Sequence, residues 1–256
     1  MGYNFWNYFW SPYNFNIKFF NKMILNFIFN FLLGKKYIYD VYYGVIGAGV
    51  AIVEVPEIKI IRDIPCYRVV ASGYTNKFFS IIFYVNDRVE SYIDTQNLRT
   101  IRYEKHLIEG TWKQDEYVDF YHDKKFAVYF SKNDTVPILD NSLDVAGILF
   151  LIRKMNISVG ETLIFNLHID RRNTRLKIFV EKEEDVETGI GKKRAYLLKL
   201  ITKDKEYKGK SGLETIFGSK GGLSVWISND EEKKILKISA KLFFGSIRAI
   251  LKEVKE

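Results

Sequence analysis

Apolar and polar residues alternate along most of this sequence from Lys36 onward, and a two-residue period is that of a strand with one buried face. In the first such segment, every second residue from Tyr37 to Tyr43 is Tyr or Val. Similar segments follow at Cys66–Tyr74, Arg88–Asp94, Leu98–Glu109, Glu116–Tyr121, Lys125–Ser131, Thr162–Ile169, Thr174–Lys182, Arg194–Thr202, Leu223–Ser228, Ile235–Leu242 and Ser246–Lys252. The alternation predicts a mainly β fold.

Short polar connections with turn chemistry separate these segments, at His122-Asp123, Asp170–Asn173, Asp204-Lys205 and Asn229–Glu232. Parallel pairing needs a crossover of about a dozen residues or more, so connections this short require antiparallel neighbours. The chain is therefore expected to fold as an antiparallel sheet.

One segment breaks the alternation. Apolar residues recur at helical spacing at Val145, Ile148, Leu149 and Ile152. They predict one short helix near residues 142–155, with Asp140, Asn141 or Ser142 as its N-cap. A shorter helical turn is expected over Asn76–Ile82.

The first 33 residues differ from the rest of the chain. They carry only two charges, Lys18 and Lys22, and then an apolar run over residues 23–33. Basic residues before such a run are typical of a signal sequence, and the run is short for a transmembrane helix of about 20 residues. No small-x-small cleavage site follows. We expect an aromatic leader, signal-like or anchored at a membrane interface, before one β-rich domain at residues 34–256. A start codon placed too far upstream would instead leave the protein in the cytoplasm.

Charge and cysteine content narrow the function classes. The net charge of +8 could attract an anionic partner. However, the basic residues are dispersed among acids, so nucleic-acid binding is not expected. The single cysteine, Cys66, excludes an intrachain disulfide and is predicted to be a buried, inert thiol.

The sequence contains partial motifs for cofactor and metal binding, but each lacks a neighbouring residue or structural element that the motif requires. The glycines of Gly44–Gly49 precede another strand, whereas a dinucleotide fingerprint needs a helix there, so they are expected to let two strands turn or approach closely. Gly209-Lys210-Ser211 lacks the first glycine of a phosphate-binding loop. The three histidines, His106, His122 and His168, are far apart in sequence and none has a partner at metal-ligand spacing. We assign no catalytic residue, cofactor site or metal site.

Several segments in sequence order resemble the bacterial domain of unknown function 3108 (DUF3108). They are Leu33–Tyr37, Gly44–Gly49, Asp87–Asp94, Asp144–Arg153, Val159–Glu161, Trp226–Asp230 and Gly245–Leu251. The family-signature positions in them, to which we assign structural roles, are Gly34, Tyr37, Gly49, Asp87, Ser91, Asp94, Trp226, Ser228, Asp230 and Gly245. The resemblance implies a closed or nearly closed antiparallel β-barrel or curled sheet, normally exported to the cell envelope, and it implies no activity.

The polar signature residues favour structure over catalysis. Asp87 and Ser91 share strand parity, whereas Asp94 falls on the opposite face of a regular strand. We expect all three to accept hydrogen bonds that tie strand ends to backbone donors. Trp226, between Val225 and Ile227, is expected to be a core residue.

Three functional hypotheses follow. The first is a non-enzymatic cell-envelope protein that binds an apolar or amphiphilic ligand, such as a lipid, or a protein partner. The aromatic share of 16% favours it and predicts a pocket lined mainly by aromatic and aliphatic side chains. The second is a hydrolase-type enzyme that acts on envelope lipid or glycan with a dispersed site. The third is a structural or assembly factor that pairs through a sheet edge.

Overall fold

The structure, a computed structural model, describes residues 33–202, 223–241 and 245–256. These residues form strands β1 Lys36–Tyr43, β2 Ile46–Ile61, β3 Ile64–Thr75, β4 Asn86–Asp94, β5 Thr100–Glu109, β6 Trp112–Tyr121, β7 Phe126–Tyr129, β8 Asp134–Pro137, β9 Thr162–Ile169, β10 Arg172–Thr188, β11 Gly191–Thr202, β12 Leu223–Ser228, β13 Ile235–Lys241 and β14 Ser246–Lys255. Two short helices accompany them, α1 Lys77–Ile82 and α2 Val145–Ile152. The antiparallel β class predicted from the alternation is confirmed.

All fourteen strands belong to one sheet in the order β8-β7-β6-β5-β4-β3-β2-β1-β14-β13-β12-β11-β10-β9. Each strand pairs antiparallel with its neighbours, and the first and last strands meet through residue pairs such as Tyr37 and Val254. Within the described residues β8 and β9 do not pair with each other, so the sheet curls without closing. The expectation of a closed barrel is not confirmed, because an open seam separates these two edge strands.

The connection from β8 to β9 crosses this seam. Leu143 forms a parallel bridge with Leu167 of β9: its N–H donates to Asn166 O at 2.9 Å, and its carbonyl accepts from His168 N at 2.9 Å. Asn173 at the start of β10 donates from Nδ2 to Pro137 O at 2.8 Å. The seam is thus spanned by an irregular segment instead of a continuous ladder.

The apolar core lies inside the curl and is covered by α2. Tyr37 and Tyr39 of β1 are buried, as the two-residue period requires. The ring of Tyr67 packs on that of Phe150 of α2, with centroids 5.5 Å apart. Leu167 is a fully buried side chain of this core, with 0% exposure. Truncating such a side chain to alanine typically costs about 2–5 kcal/mol.

Local details correct several sequence-based expectations. The N-cap of α2 is Asp144, whose Oδ1 accepts from Gly147 N at 2.9 Å, so the cap predicted at residues 140–142 is wrong. The four-residue strand β8 was not predicted, because it is short and ends in Pro137. The helical turn expected over Asn76–Ile82 is present as α1, a second helix beside α2.

Some expectations lie outside the described residues. The leader, except Leu33, is one of them. The turn at Asp204-Lys205, the Gly209-Lys210-Ser211 motif and the end of the Ile235–Leu242 segment also lie there. Neither helix in the described ranges is long and apolar enough to cross a membrane.

Candidate functional site

Two features of the structure are candidates for function, and the first is an exposed apolar surface at one end of the curled sheet. The β1–β2 turn, α1, the residues after α1 and the β5–β6 turn meet at this end. Their exposed apolar side chains form a surface that we call the apolar rim: Val45 (89% exposed), Ile46 (51%), Phe78 (63%), Ile81 (86%), Ile82 (68%), Phe83 (49%), Tyr84 (43%) and Trp112 (38%).

Hydrogen bonds hold the rim together. Asn76 caps α1 by accepting from Phe79 N at 2.8 Å, and its Nδ2 donates to Gly47 O at 2.7 Å, which fixes the helix to β2. On the other side, Gly110 N donates to Tyr84 O at 2.7 Å, which joins the segment after α1 to the β5–β6 turn. No residue of α1 is buried. This capped helix therefore has three exposed apolar side chains and no buried residue, so it is not a part of the core.

An acidic pair lies at the base of the rim. Asp87 of β4 accepts from Ile108 N at 3.1 Å. Burial, and then the nearby Glu109 carboxyl, raise the pKa of Asp87 to about 7. The charge of the rim therefore depends on pH near neutrality.

The second feature is a group of polar side chains inside the curl, next to the seam. We call Lys105, Tyr129, Asp144, His168 and Asp170 the seam cluster. Lys105 is 3% exposed and its Nζ donates to Asp170 Oδ1 at 2.9 Å, which joins β5 to the β9–β10 turn. Losing one partner of such a partly buried ion pair is costly, since the buried Lys105 charge is then less well compensated.

The hydrogen bonds of the seam cluster fix the protonation of its histidine. Because Asn173 Nδ2 donates to Pro137 O, Asn173 Oδ1 is the acceptor facing His168 Nδ1 at 2.9 Å. The proton thus resides on Nδ1, and Nε2 accepts from the Tyr129 hydroxyl at 2.8 Å. The Tyr129 oxygen in turn accepts from Arg171 N at 2.9 Å. Burial lowers the pKa of His168, which keeps the ring neutral.

Asp144 is the most completely buried acid of the cluster. Its Oδ1 accepts from Ser91 Oγ at 2.9 Å, Thr100 Oγ1 at 2.9 Å and Gly147 N at 2.9 Å. Burial raises the pKa of this carboxyl, although the three donors oppose the shift. Its other oxygen, Oδ2, is buried and has no hydrogen-bond partner among the described residues.

A cavity of about 20 Å³ lies between these groups. Lys105, Glu116, Asp144, His168 and Asp170 supply its polar lining, and the apolar part comes from Tyr103, Val118, Phe120, Tyr129, Val145 and Ile169. This cavity does not match the expected apolar pocket, since it is small and five acidic or basic side chains line it.

A family model described as "Protein of unknown function (DUF3108)" matches residues 38–252. The chain belongs to this family. No curated protein matches the DUF3108 chain.

A solved structure resembles the fold of the DUF3108 chain, and two others align with it more weakly. A β-barrel-like protein of domain of unknown function DUF1849 from Brucella abortus is 11% identical, with a TM-score of 0.59, and the match covers 86% of this chain and 96% of that one. A DUF1089 family protein from Pseudomonas aeruginosa is 8% identical, with a TM-score of 0.41 and coverage of 75% and 89%. A candidate lipoprotein from Parabacteroides distasonis is 9% identical, with a TM-score of 0.35 and coverage of 86% and 94%. At 11% identity, the match to the Brucella protein supports the fold and says nothing about function.

The polar signature residues of the DUF3108 chain do not converge. Ser91 reaches the seam cluster, where its hydroxyl donates to Asp144 Oδ1, a side-chain contact in place of the backbone donor that we expected it to bind. Asp87 lies at the rim. Asp94 is at the opposite end of β4, where it accepts from Gln96 N and Asn97 Nδ2, both at 2.8 Å.

The remaining signature residues occupy turns and packing positions. Gly34 and Gly245 have positive φ angles of 81° and 82°. Trp226 is 9% exposed and donates from Nε1 to Glu184 at 2.7 Å. Ser228 donates to Asp230 at 2.7 Å in the β12–β13 turn. The Tyr37 hydroxyl accepts from Arg153 at 3.1 Å.

Gly49 permits a close strand contact. A Cβ at this position would lie 2.0 Å from Tyr74 O of β3. The expectation that glycines here let strands approach closely is therefore correct.

The other candidate side chains of the sequence analysis, His106, His122 and Cys66, do not form a common site. His106 Nδ1 lies 2.6 Å from Asp115 Oδ1, and His122 Nε2 lies 2.7 Å from Thr100 O. Cys66 is buried, as expected, and desolvation raises the pKa of its thiol to about 12. Among the residues the structure describes, no three His, Cys, Asp or Glu side chains form a metal-binding group.

Most residues of the seam cluster were not predicted from the sequence as site residues. Lys105 pairs with Glu116 across β5 and β6, and both occupy inward positions of the two-residue period. Charged residues at apolar positions of an alternating segment were the available signal. Tyr129 and Asp170 gave no comparable signal in the sequence.

Proposed function

We propose that this DUF3108 protein is a non-enzymatic cell-envelope protein that docks on a lipid bilayer through its apolar rim. The observation that carries the proposal is the exposure of Phe78, Ile81 and Ile82 on a helix with no buried residue. Contiguous exposed apolar patches on soluble domains mark protein or membrane interaction sites. The leader at residues 1–33 supports the envelope location, since its basic residues and apolar run are signal-like.

The polar groups around the rim favour a bilayer as the partner. Tyr84 and Trp112 carry both an apolar ring and a polar group, which suits the boundary between headgroups and acyl chains. Lys77 and Lys113, next to rim residues, are exposed and can meet anionic headgroups. The net charge of +8 adds a general attraction to an anionic surface.

The size of the rim suffices for measurable binding. Phe78, Ile81 and Ile82 together expose the equivalent of about two whole side chains, judged from their 63%, 86% and 68% exposure. Burying one such side chain contributes about 1.5 kcal/mol at the low end. Full insertion of these three would therefore contribute about 3 kcal/mol, or roughly 100-fold in partitioning.

Vesicle sedimentation tests the proposal. A chain of residues 33–256 is used, so that the leader cannot bind the vesicles itself, and circular dichroism must first show a β spectrum. Vesicles that contain anionic lipid are compared with neutral ones. The variant with Phe78→Gln, Ile81→Gln and Ile82→Gln should bind at least 10-fold more weakly than the unchanged chain.

The matched control replaces three apolar side chains of similar exposure outside the rim. Ile60 (70% exposed), Ile164 (60%) and Ile201 (56%) serve this purpose as Gln variants. Binding should survive in the control. Equal loss in both variants, or no vesicle binding at all by the unchanged chain, would exclude docking through the rim.

The two other hypotheses receive less support. Acids and a histidine do converge at the seam cluster, as an enzyme would need, but the cavity of about 20 Å³ is far below the roughly 300 Å³ of a small-molecule site. Pairing through a sheet edge would use β8 or β9. β8 has four residues, and part of β9 already bonds to Leu143.

A further inference from the structure

We infer that a group of basic side chains at the end of β1 away from the apolar rim binds a phosphate group. We call Lys35, Arg153, Lys193 and Lys234 the cationic cluster. They come from the segment before β1, the end of α2, the start of β11 and the β12–β13 turn. The inference does not depend on membrane docking, because the rim lies at the other end of β1.

Glu232 holds three members of the cluster close together. Its carboxylate accepts from Lys35 Nζ at 2.9 Å and also pairs with Lys234. Its backbone carbonyl accepts from Arg153 Nη2 at 3.0 Å. The same Arg153 nitrogen donates to the Tyr37 hydroxyl at 3.1 Å, which fixes the guanidinium against β1. Three cations from three elements therefore converge on one residue.

Lys193 joins the cluster through its proximity to Lys234. Burial lowers the pKa of Lys234, and Asp230, whose Oδ2 lies 3.8 Å from Lys234 Nζ, opposes this shift. The cations of Lys35, Arg153 and Lys193 lower the same pKa further, so all three lie near this ammonium. The cluster is thus crowded with like charges.

The neighbouring acids leave an excess of positive charge. Glu232 and Asp230 are the counter-charges of the cluster, and the other charges of the turn, Glu231 and Lys233, cancel. The C-terminal end of α2 adds only about half a negative charge. Burial lowers the pKa of Lys154 to about 6, so this lysine adds no charge at neutral pH. Four basic groups therefore face two carboxylates, and an anion of about two charges would balance them.

The cluster also has accessible donors. The side chains of Lys35 and Lys234 are 17% and 18% exposed, and Lys193 is exposed. Lys193 makes no hydrogen bond or ion pair with the residues that the structure describes, and an ammonium group has three donors. A phosphate group has at least three strong acceptor oxygens, so it can bind donors that come from several elements at once. The ligand class is therefore a phosphate group, free or as part of a lipid headgroup.

Calorimetric titration of the full-length chain in a nonionic detergent tests the site, at about pH 7.5, where phosphate is mostly doubly charged, and at constant ionic strength. Inorganic phosphate and glycerol 3-phosphate are the probes, and a dissociation constant of about 1 mM or lower is expected. Binding of both probes would support a substituted phosphate such as a headgroup, whereas binding of inorganic phosphate alone would support the free ion. Binding of neither would overturn the site.

A double variant separates the site from the overall charge. Lys193→Gln with Lys234→Gln should bind phosphate about 10-fold more weakly or worse. The matched control, Lys124→Gln with Lys177→Gln, removes two exposed lysines outside the cluster and should retain binding. Equal weakening in the two variants would overturn the site, because general charge would then explain the binding.

Glu232→Gln tests the site in the opposite direction. It removes the carboxylate that competes with the anion for Lys35 and Lys234, so phosphate should bind about threefold more tightly or better. Misfolding of a variant cannot produce tighter binding, which keeps the test valid if the double lysine variant fails to fold. Unchanged or weaker phosphate binding by Glu232→Gln would contradict the inference.

Discussion

Replacing Tyr129 with Phe removes one hydroxyl from the seam and nothing else. Tyr129 is 4% exposed, so Phe fits the same volume. The loss leaves His168 Nε2 without its donor and Arg171 N without its acceptor. Leaving the buried histidine nitrogen without a donor should cost about 1–3 kcal/mol. Leaving the Arg171 amide without its acceptor should cost less, because this amide is partly exposed and can bond to water. We expect a loss of about 2–3 kcal/mol in the free energy of unfolding.

Urea denaturation at pH 7 measures this loss, and Tyr121→Phe is the matched control. The described contacts of Tyr121 with Arg62 and Phe126 involve its ring, so removal of its hydroxyl should change the free energy of unfolding by less than about 0.5 kcal/mol. Equal stability of Tyr129→Phe and the unchanged chain would refute the seam network as described.

The pH dependence of the same variant provides a second readout. Burial lowers the pKa of His168 in the folded state, so between this pKa and the unfolded value of about 6.5 the unfolded chain binds more protons. Stability due to the neutral ring is therefore present above pH 6.5 and lost as the pH falls. In the Tyr129→Phe variant Nε2 no longer has to accept, so the difference from the unchanged chain should shrink between pH 7 and pH 5. A constant difference over that range would contradict the assigned tautomer.

Three further predictions concern other parts of the sheet. Because the pKa of Asp87 is about 7, its carboxyl loses its charge below that pH, and vesicle binding should strengthen from pH 8 to pH 6. Asp87→Asn should remove this dependence in a sedimentation assay. Gly49→Ala forces a Cβ against Tyr74 O and should cost about 1–3 kcal/mol in urea denaturation, whereas Gly73→Ala, which meets nothing within 4 Å, should be tolerated. Ser91→Ala removes a buried donor from a carboxylate and should cost about 1–3 kcal/mol by the same assay.

The alternating pattern was sufficient to predict most of the sheet but not its pairing across the seam. Thr162–Ile169 was predicted with the bounds of β9 because its alternation is regular and polar turn residues follow it. The two-residue turn after it, Asp170-Arg171, has φ angles of 48° and 65°, as a tight hairpin requires. Non-local contacts such as Leu143 with Leu167 have no local signal, and so the open seam could not be predicted.

The candidate sites were harder to predict for a related physical reason. The seam cluster brings together residues from position 105 to position 170, and each looks ordinary in its own segment. The apolar rim was hard to predict for the same reason. Its α1 segment has the pattern of a short helical turn, and whether that turn is exposed depends on where the sheet ends. The N-cap of α2 is the clearest example. Several polar residues precede α2 and could cap it, and Asp144 is favoured because the distant Ser91 and Thr100 hydroxyls donate to its carboxyl in the folded structure.

The pairing of β1 with β14 constrains when this sheet can form. Strands β1 to β8 and β9 to β14 are two meanders in which every pair is adjacent in sequence, and hairpins of this kind form quickly. Among the described strands, one ladder joins them; it brings Lys36 opposite Lys255 and must close a loop of more than two hundred residues. A ribosome releases β14 after the other thirteen described strands, so until then β1 and β13 each retain an unpaired edge. Docking of the two meanders is thus expected to be the late, slow step of folding, and truncation within β14 should expose two adhesive edges at once.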